Sequence, residues 1–176
     1  HILEKYFGCR RFGPTAELFP RRTDLALGCL FESDNPMNVI RIVNGEFALD
    51  ADYRDWMGLH DQRELYGEGY YVHTFQRLLP WQTYFAAHPE YFALMNGKRI
   101  IDQPCLSRPE VFEIAAARLR EEIAAHPEKG IWSVSQNDNF SYCQCPDCLK
   151  AIEEEGSPAG PVIRFANKVA ALFPDK

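Results

Sequence analysis

The sequence predicts an α/β fold built on a parallel sheet, and three observations carry that expectation. The apolar run Ile131-Trp132-Ser133-Val134-Ser135 breaks directly into Gln136-Asn137-Asp138-Asn139, the pattern of a buried strand that delivers polar groups to an open rim. A second run, Gly69-Tyr70-Tyr71-Val72-His73-Thr74-Phe75, passes in the same way from aromatics into polar atoms. The order strand, loop, helix, strand, loop, helix is that of right-handed crossovers. Sites in such folds gather where the strands end, so His73 and residues 136–139 are expected on one rim.

Taken in order, Ile2-Leu3-Glu4-Lys5-Tyr6-Phe7 predicts a first helix, ended at Gly8, with Phe19-Pro20-Arg21-Arg22 as an extended connector. Val39-Ile40-Arg41-Ile42-Val43 predicts a strand. Asp52 to Gly58 predicts a short helix with Tyr53, Trp56 and Met57 on one side. The aromatic-rich stretch through Trp81, Tyr84, Tyr91 and Phe92 predicts helical turns, followed by a hairpin over Met95-Asn96-Gly97-Lys98-Arg99. Ser107-Arg108-Pro109-Glu110 has the form of a capping box, and Val111, Ile114, Ala115, Leu119 and Ile123 then recur at helical spacing. A last amphipathic helix is expected over Pro161 to Phe173, with Val162, Phe165, Val169 and Leu172 inward. Glu153-Glu154-Glu155 reads as a solvated helix face. In the rim strand, Trp132 and Val134 fall on one face, and Ser133, Ser135 and Asn137 on the other.

With 176 residues and 46% apolar content the chain can bury a core. A net charge of −6 with scattered Lys and Arg argues against nucleic acid as a partner. No apolar run reaches the length of a membrane span, and the first residues carry no signal-peptide pattern. The chain starts without Met and stops just past a helix, so it reads as a segment whose partner is the remainder of the same polypeptide. No phosphate-binding glycine motif, H-E-x-x-H or G-x-S-x-G is present, which removes the nucleotide, zinc-protease and hydrolase-elbow classes for this segment.

The six cysteines fall into two groups. Cys9, Cys29 and Cys105 stand alone among apolar or small neighbours, as buried thiols do. Cys143, Cys145 and Cys148 are candidate metal ligands, because C-x-C-x2-C contains half of a structural zinc site. It lacks an evident fourth ligand. A disulfide from Cys143 or Cys145 to Cys148, or reduced structural thiols, remain alternatives.

On the rim, His73 is placed to bond a ligand hydroxyl or to move a proton near neutral pH, and Asp138 is the candidate general acid or base. Gln136, Asn137 and Asn139 are candidate substrate-binding amides, although Asn and Asp clusters also make plain turns. Trp81, Tyr84, Tyr91 and Phe92 are candidates to stack on sugar faces, Trp81 first, although an aromatic stripe usually packs under its own loop, so at most one or two of them are expected to touch ligand. Glu46 and Asp50 are the alternative acids.

The strings Val72-His73-Thr74-Phe75, His88-Pro89-Glu90-Tyr91-Phe92-Ala93-Leu94, Gly97-Lys98-Arg99, Ile131 to Asn139, Tyr142-Cys143-Gln144-Cys145 with Cys148, and Glu155-Gly156-Ser157-Pro158 resemble the bacterial family catalogued as domain of unknown function 4838. That family is similar to α-glucuronidase-type glycoside hydrolases. The resemblance implies an α/β fold that is the N-terminal portion of a (β/α)8 TIM-like barrel, incomplete in this chain since barrels need about 250 residues. Residues 1–30 would be the end of a preceding small α/β domain and its connector, and 31–176 the first βα units. It also implies export, a glycan or oligosaccharide as ligand, and a hydrolase whose carboxylate pair comes from later strands. No cofactor is needed for such chemistry, so zinc would be structural. A non-catalytic carbohydrate-binding barrel and a zinc-stabilised interaction domain are the rival readings.

Overall fold

The computed structural model describes residues 2–24, 26, 28–31, 33, 37–38 and 40–176. The chain divides into two compact units, His1–Gln62 and Arg63–Lys176. The class is mixed α/β, with helices and two small antiparallel sheets.

In the first unit α1 (Ile2–Phe7) leads into an antiparallel hairpin of β1 (Arg10–Gly13) and β2 (Ala16–Leu18). A 3-10 turn (Glu46–Leu49) precedes α2 (Ala51–Met57). Asp50 caps α2, its Oδ1 accepting from Tyr53 N at 2.7 Å. Gly58 closes the helix in the left-handed region, φ 62°. The strand expected over 39–43 is not seen: Val39 lies outside the described residues, and 40–43 have no regular structure.

In the second unit α3 (Gln62–Leu65) leads to α4 (Phe75–Leu78) and α5 (Trp81–Tyr84), then to a 3-10 turn (Pro89–Tyr91). β3 (Phe92–Met95) and β4 (Lys98–Pro104) form the expected hairpin. Asn96 and Gly97 sit at φ 50° and 77°, the double left-handed step that an Asn-Gly turn supplies. α6 (Pro109–Ala125) buries Val111, Phe112, Ala115, Ala116 and Leu119 along one stripe. α7 (Pro146–Glu155) ends at left-handed Gly156, and α8 (Ala159–Ala170) buries Phe165 and Val169. Leu172, expected inward, lies past the end of α8 and is exposed.

The core gathers Tyr70, Phe75, Leu78 and Phe92 with the α6 and α8 stripes. Phe165 is its centre, meeting Phe75 and Phe112 edge-on at 5.7 and 6.1 Å. Full burial of each such ring contributes about 1.5–3 kcal/mol.

The two expected parallel strands need correction. Neither 69–75 nor 131–135 is a regular strand. The two segments nevertheless run alongside each other in parallel. Tyr66 and Ile131 form a parallel bridge. Ser133 N then donates to Tyr70 O at 3.0 Å, and Phe75 N to Ser135 O at 3.1 Å. The ladder is broken because Gly69 and His73 adopt φ 74° and 56°, conformations that a pleated strand cannot contain. Gly67 is needed for a different reason, since a Cβ there would collide with the Trp132 ring. Gly67→Ala is therefore expected to destabilise the chain by about 1–3 kcal/mol through overpacking, read as a lower urea midpoint with unchanged slope. An unchanged midpoint would mean that Trp132 can move aside freely.

Candidate functional site

The two parallel segments end together. His73 is exposed, and its Nδ1 lies 3.0 Å from the carbonyl oxygen of Gln136. Because a carbonyl oxygen can only accept, that contact makes Nδ1 the donor. A non-glycine residue at φ 56° is costly and persists only where its surroundings hold it. Thr74, fully buried, helps to do so: its Oγ1 accepts from Ser135 N at 2.9 Å.

Beyond Gln136 the chain is pinned to β4 by amides. Asn137 is only 4% exposed. Its Nδ2 donates to Asp102 O at 2.7 Å, and its Oδ1 accepts from Gln76 N at 3.3 Å. The buried Gln103 matches the backbone of Asn137 on both sides, donating to its O at 2.8 Å and accepting from its N at 3.1 Å. Gln103 Nε2 also reaches Asn139 Oδ1 at 2.9 Å, and Ser141 Oγ donates to Asp102 Oδ2 at 2.8 Å. Asn139 Nδ2 donates to Asp102 O at 3.3 Å and its Oδ1 also accepts from Ser141 N at 3.1 Å, so the side chains of both Asn137 and Asn139, expected to bind substrate, are spent on the fold. Asn139 is partly exposed, Gln136 is exposed, and Asp138 is exposed with no hydrogen bond or ion pair among the described residues.

Gln136 and Asn139 line a cavity of about 280 Å³ together with Phe75, Phe140, Tyr142 and the ends of α7 and α8. Phe140 is 93% exposed at this place. Cys143 and Cys148 also line it, and no Asp, Glu, Lys, Arg or His does. Trp81 is not among the lining residues; it sits half-exposed in α5. Tyr84 and Tyr91 pack on each other, and His88 stacks on Tyr91 at 4.6 Å. Of the alternative acids, Asp50 is the cap of α2 and Glu46 belongs to the preceding 3-10 turn.

The cysteines make the second feature. Cys143, Cys145 and Cys148 come together with Cys105, all four buried, their sulfurs within 4.8 Å of one another. Cys105 follows β4 and is fixed by its N–H to Tyr91 O at 2.8 Å. Cys143 lies along the edge of β3, where Leu94 N donates to its Sγ at 3.3 Å and Gln144 N donates to Leu94 O at 2.7 Å. Cys145 is the N-cap of α7 and Cys148 lies in its first turn. No disulfide forms among the described cysteines. The reading of Cys105 as an isolated thiol is corrected, since it supplies the missing fourth sulfur. Cys9 is buried as expected, while Cys29 is exposed.

Cys105 Sγ lies 3.5, 3.6 and 3.9 Å from those of Cys143, Cys145 and Cys148. A tetrahedral ion holding sulfurs at about 2.3 Å spaces them about 3.8 Å apart. The four residues therefore fit a metal ion. Without one, the shared hydrogen bonds divide the protons unequally. Donation from Cys143 and Cys148 draws the Cys105 thiol far down, whereas giving its proton to Cys105 pushes Cys143 up to about 11 and Cys148 higher still.

These motifs have a counterpart outside the chain. The family model described as Domain of unknown function (DUF4838) matches residues 11–176. The chain belongs to that family. No curated protein and no solved structure matches it. In this DUF4838 chain the sequence did not disclose Cys105, Asp102, Gln103 or Ser107 as parts of the site. All four lie in or just after β4, more than 30 residues from the motifs they serve, and no short spacing could have joined them.

Proposed function

We propose that this chain is the opening part of a (β/α)8 barrel that handles glycans, with a structural zinc ion stapling its rim. One observation carries the glycan reading: the parallel segments through Tyr70 and Trp132 end side by side, with His73 bonded to Gln136. Parallel barrels keep their sites at that end. The cavity beside Gln136 supports it, since a sugar asks for amides to bond its hydroxyls and aromatic faces to stack on its C–H groups. Gln136 offers an amide, and Phe140 and Tyr142 the aromatic faces. Asp138 is an exposed carboxylate that does not line the cavity, and hydrolysis needs a pair across the scissile bond. In this reading that pair would come from later strands, outside this chain.

Zinc is the ion that four thiolates in a closed tetrahedron select. The thiolates would hold it as a tie between β4, the edge of β3 and α7, without an open position for water.

The chain is expected to bind neutral oligosaccharides without turning them over. Amide chemical-shift changes on adding a glycan panel should cluster at Gln136, Asn139 and Tyr142, while aryl glycosides, glucuronides included, stay intact. Turnover that disappears in Asp138→Asn would place the chemistry in this chain. Shifts absent with every glycan would sink the carbohydrate reading.

A further inference from the structure

The helix that follows Ser107 does not use it. The capping box expected at Ser107 and Glu110 is not formed: the N-cap of α6 is Arg108, and no side chain caps it. Leaving out such a cap costs about 1 kcal/mol. The Ser107 hydroxyl turns instead to the sulfurs, 3.3 Å from Cys105, 3.4 Å from Cys145 and 3.4 Å from Cys148. Nearly equidistant from three of the four, it stands over the face that they form, on the side away from Cys143. Cys143 has its own supports, the Leu94 N–H at 3.3 Å and the Arg99 guanidinium at 3.9 Å.

We infer that Ser107 is the outer-shell hydroxyl of the metal site, donating its single O–H hydrogen bond to the thiolates of Cys105, Cys145 and Cys148 one at a time, and covering the face they share. The inference rests on the zinc reading above. A metal-bound thiolate carries no proton, so every contact it makes with a hydroxyl must have the hydroxyl as donor. Four thiolates around a divalent ion leave two negative charges in a buried place. A donor to a charged acceptor is about twice as strong as one to a neutral acceptor, and the hydroxyl can rotate among three sulfurs without moving its Cβ. The same position denies water an approach to the ion from that face, which keeps the site structural. Ser107 is not itself a ligand, because the alcohol keeps its proton near neutral pH and competes poorly with thiolates for a soft-leaning ion.

Cobalt(II) in place of zinc gives the test, since its ligand-field intensity reports tetrahedral four-coordination, while its thiolate charge-transfer bands report the number of thiolates by their intensity and the hydrogen bonding of the sulfurs by their energy. The parent chain should show the four-thiolate tetrahedral spectrum and bind one zinc per chain in competition with a chromophoric chelator. Ser107→Ala should keep the intensity, shift the charge-transfer bands and raise the zinc Kd about tenfold or more. Ser107→Thr should restore both, and its spectrum reads the site even where the alanine variant folds poorly. An alanine variant matching the parent in bands and affinity would overturn the inference and leave the zinc reading intact. Lost ligand-field intensity would overturn it by making Ser107 a ligand. A parent chain that takes up neither metal would overturn both.

Discussion

Cys105→Ser is expected to empty the metal site and to lower stability more than any other single change in this chain. The parent should carry one zinc per chain by elemental analysis, and the variant little or none. With ion present at about a thousand times its Kd, binding to the folded state alone contributes about 4 kcal/mol, and that contribution should vanish in the variant. A chelator should shift the urea midpoint of the parent and leave the variant where it is. Cys29→Ser is the control, because Cys29 is exposed and apart from the cluster; it should keep the ion. A Cys105→Ser chain that retains a full equivalent of zinc and still responds to chelator would show that three thiols suffice and that Cys105 is only packing.

The second large effect should separate two adjacent residues. Asn137→Ala removes the partners of Asp102 O and Gln76 N in a place that water hardly reaches. An orphaned buried polar group costs about 1–3 kcal/mol, so a loss of about 2–3 kcal/mol is expected in urea unfolding. Asp138→Ala, on an exposed side chain without a partner among the described residues, should stay within about 0.5 kcal/mol of the parent. Equal losses at the two positions would mean that the loop is held by its backbone alone. The contrast also divides the rim into two kinds of residue. Asn137 and Asn139 build it, whereas the side chains of Gln136 and Asp138 stand exposed.

Much of this was legible from local signals. The α6 stripe, the Asn96-Gly97 turn and the C-x-C-x2-C group each depend on residues within a few positions of one another, and each is present. What was hidden depends on distant partners or on the backbone. Tyr70 to Phe75 has a strand's composition, yet the left-handed steps at Gly69 and His73 turn it out of the pleat. The Asn137 amide looks the same in sequence whether it meets a sugar or the Asp102 carbonyl. Ser107 and Glu110 have the spacing of a capping box, but α6 starts one residue later, with Arg108 as its N-cap, and the Ser107 hydroxyl meets the sulfurs instead. Cys105, 38 residues before Cys143, could not be told from a core thiol.

That separation gives the cluster a meaning in chain statistics. Joining Cys105 to Cys143 closes a loop of 38 residues that contains all of α6 and the whole rim segment. Closing a loop of that length in the unfolded chain by a permanent link removes conformational entropy worth about 4 kcal/mol. A metal ion makes the same link reversibly. Its loss would release α6, the rim and the hairpin edge as one cooperative unit, and amide hydrogens as far apart as Leu119 and Asn137 would exchange with a common opening free energy.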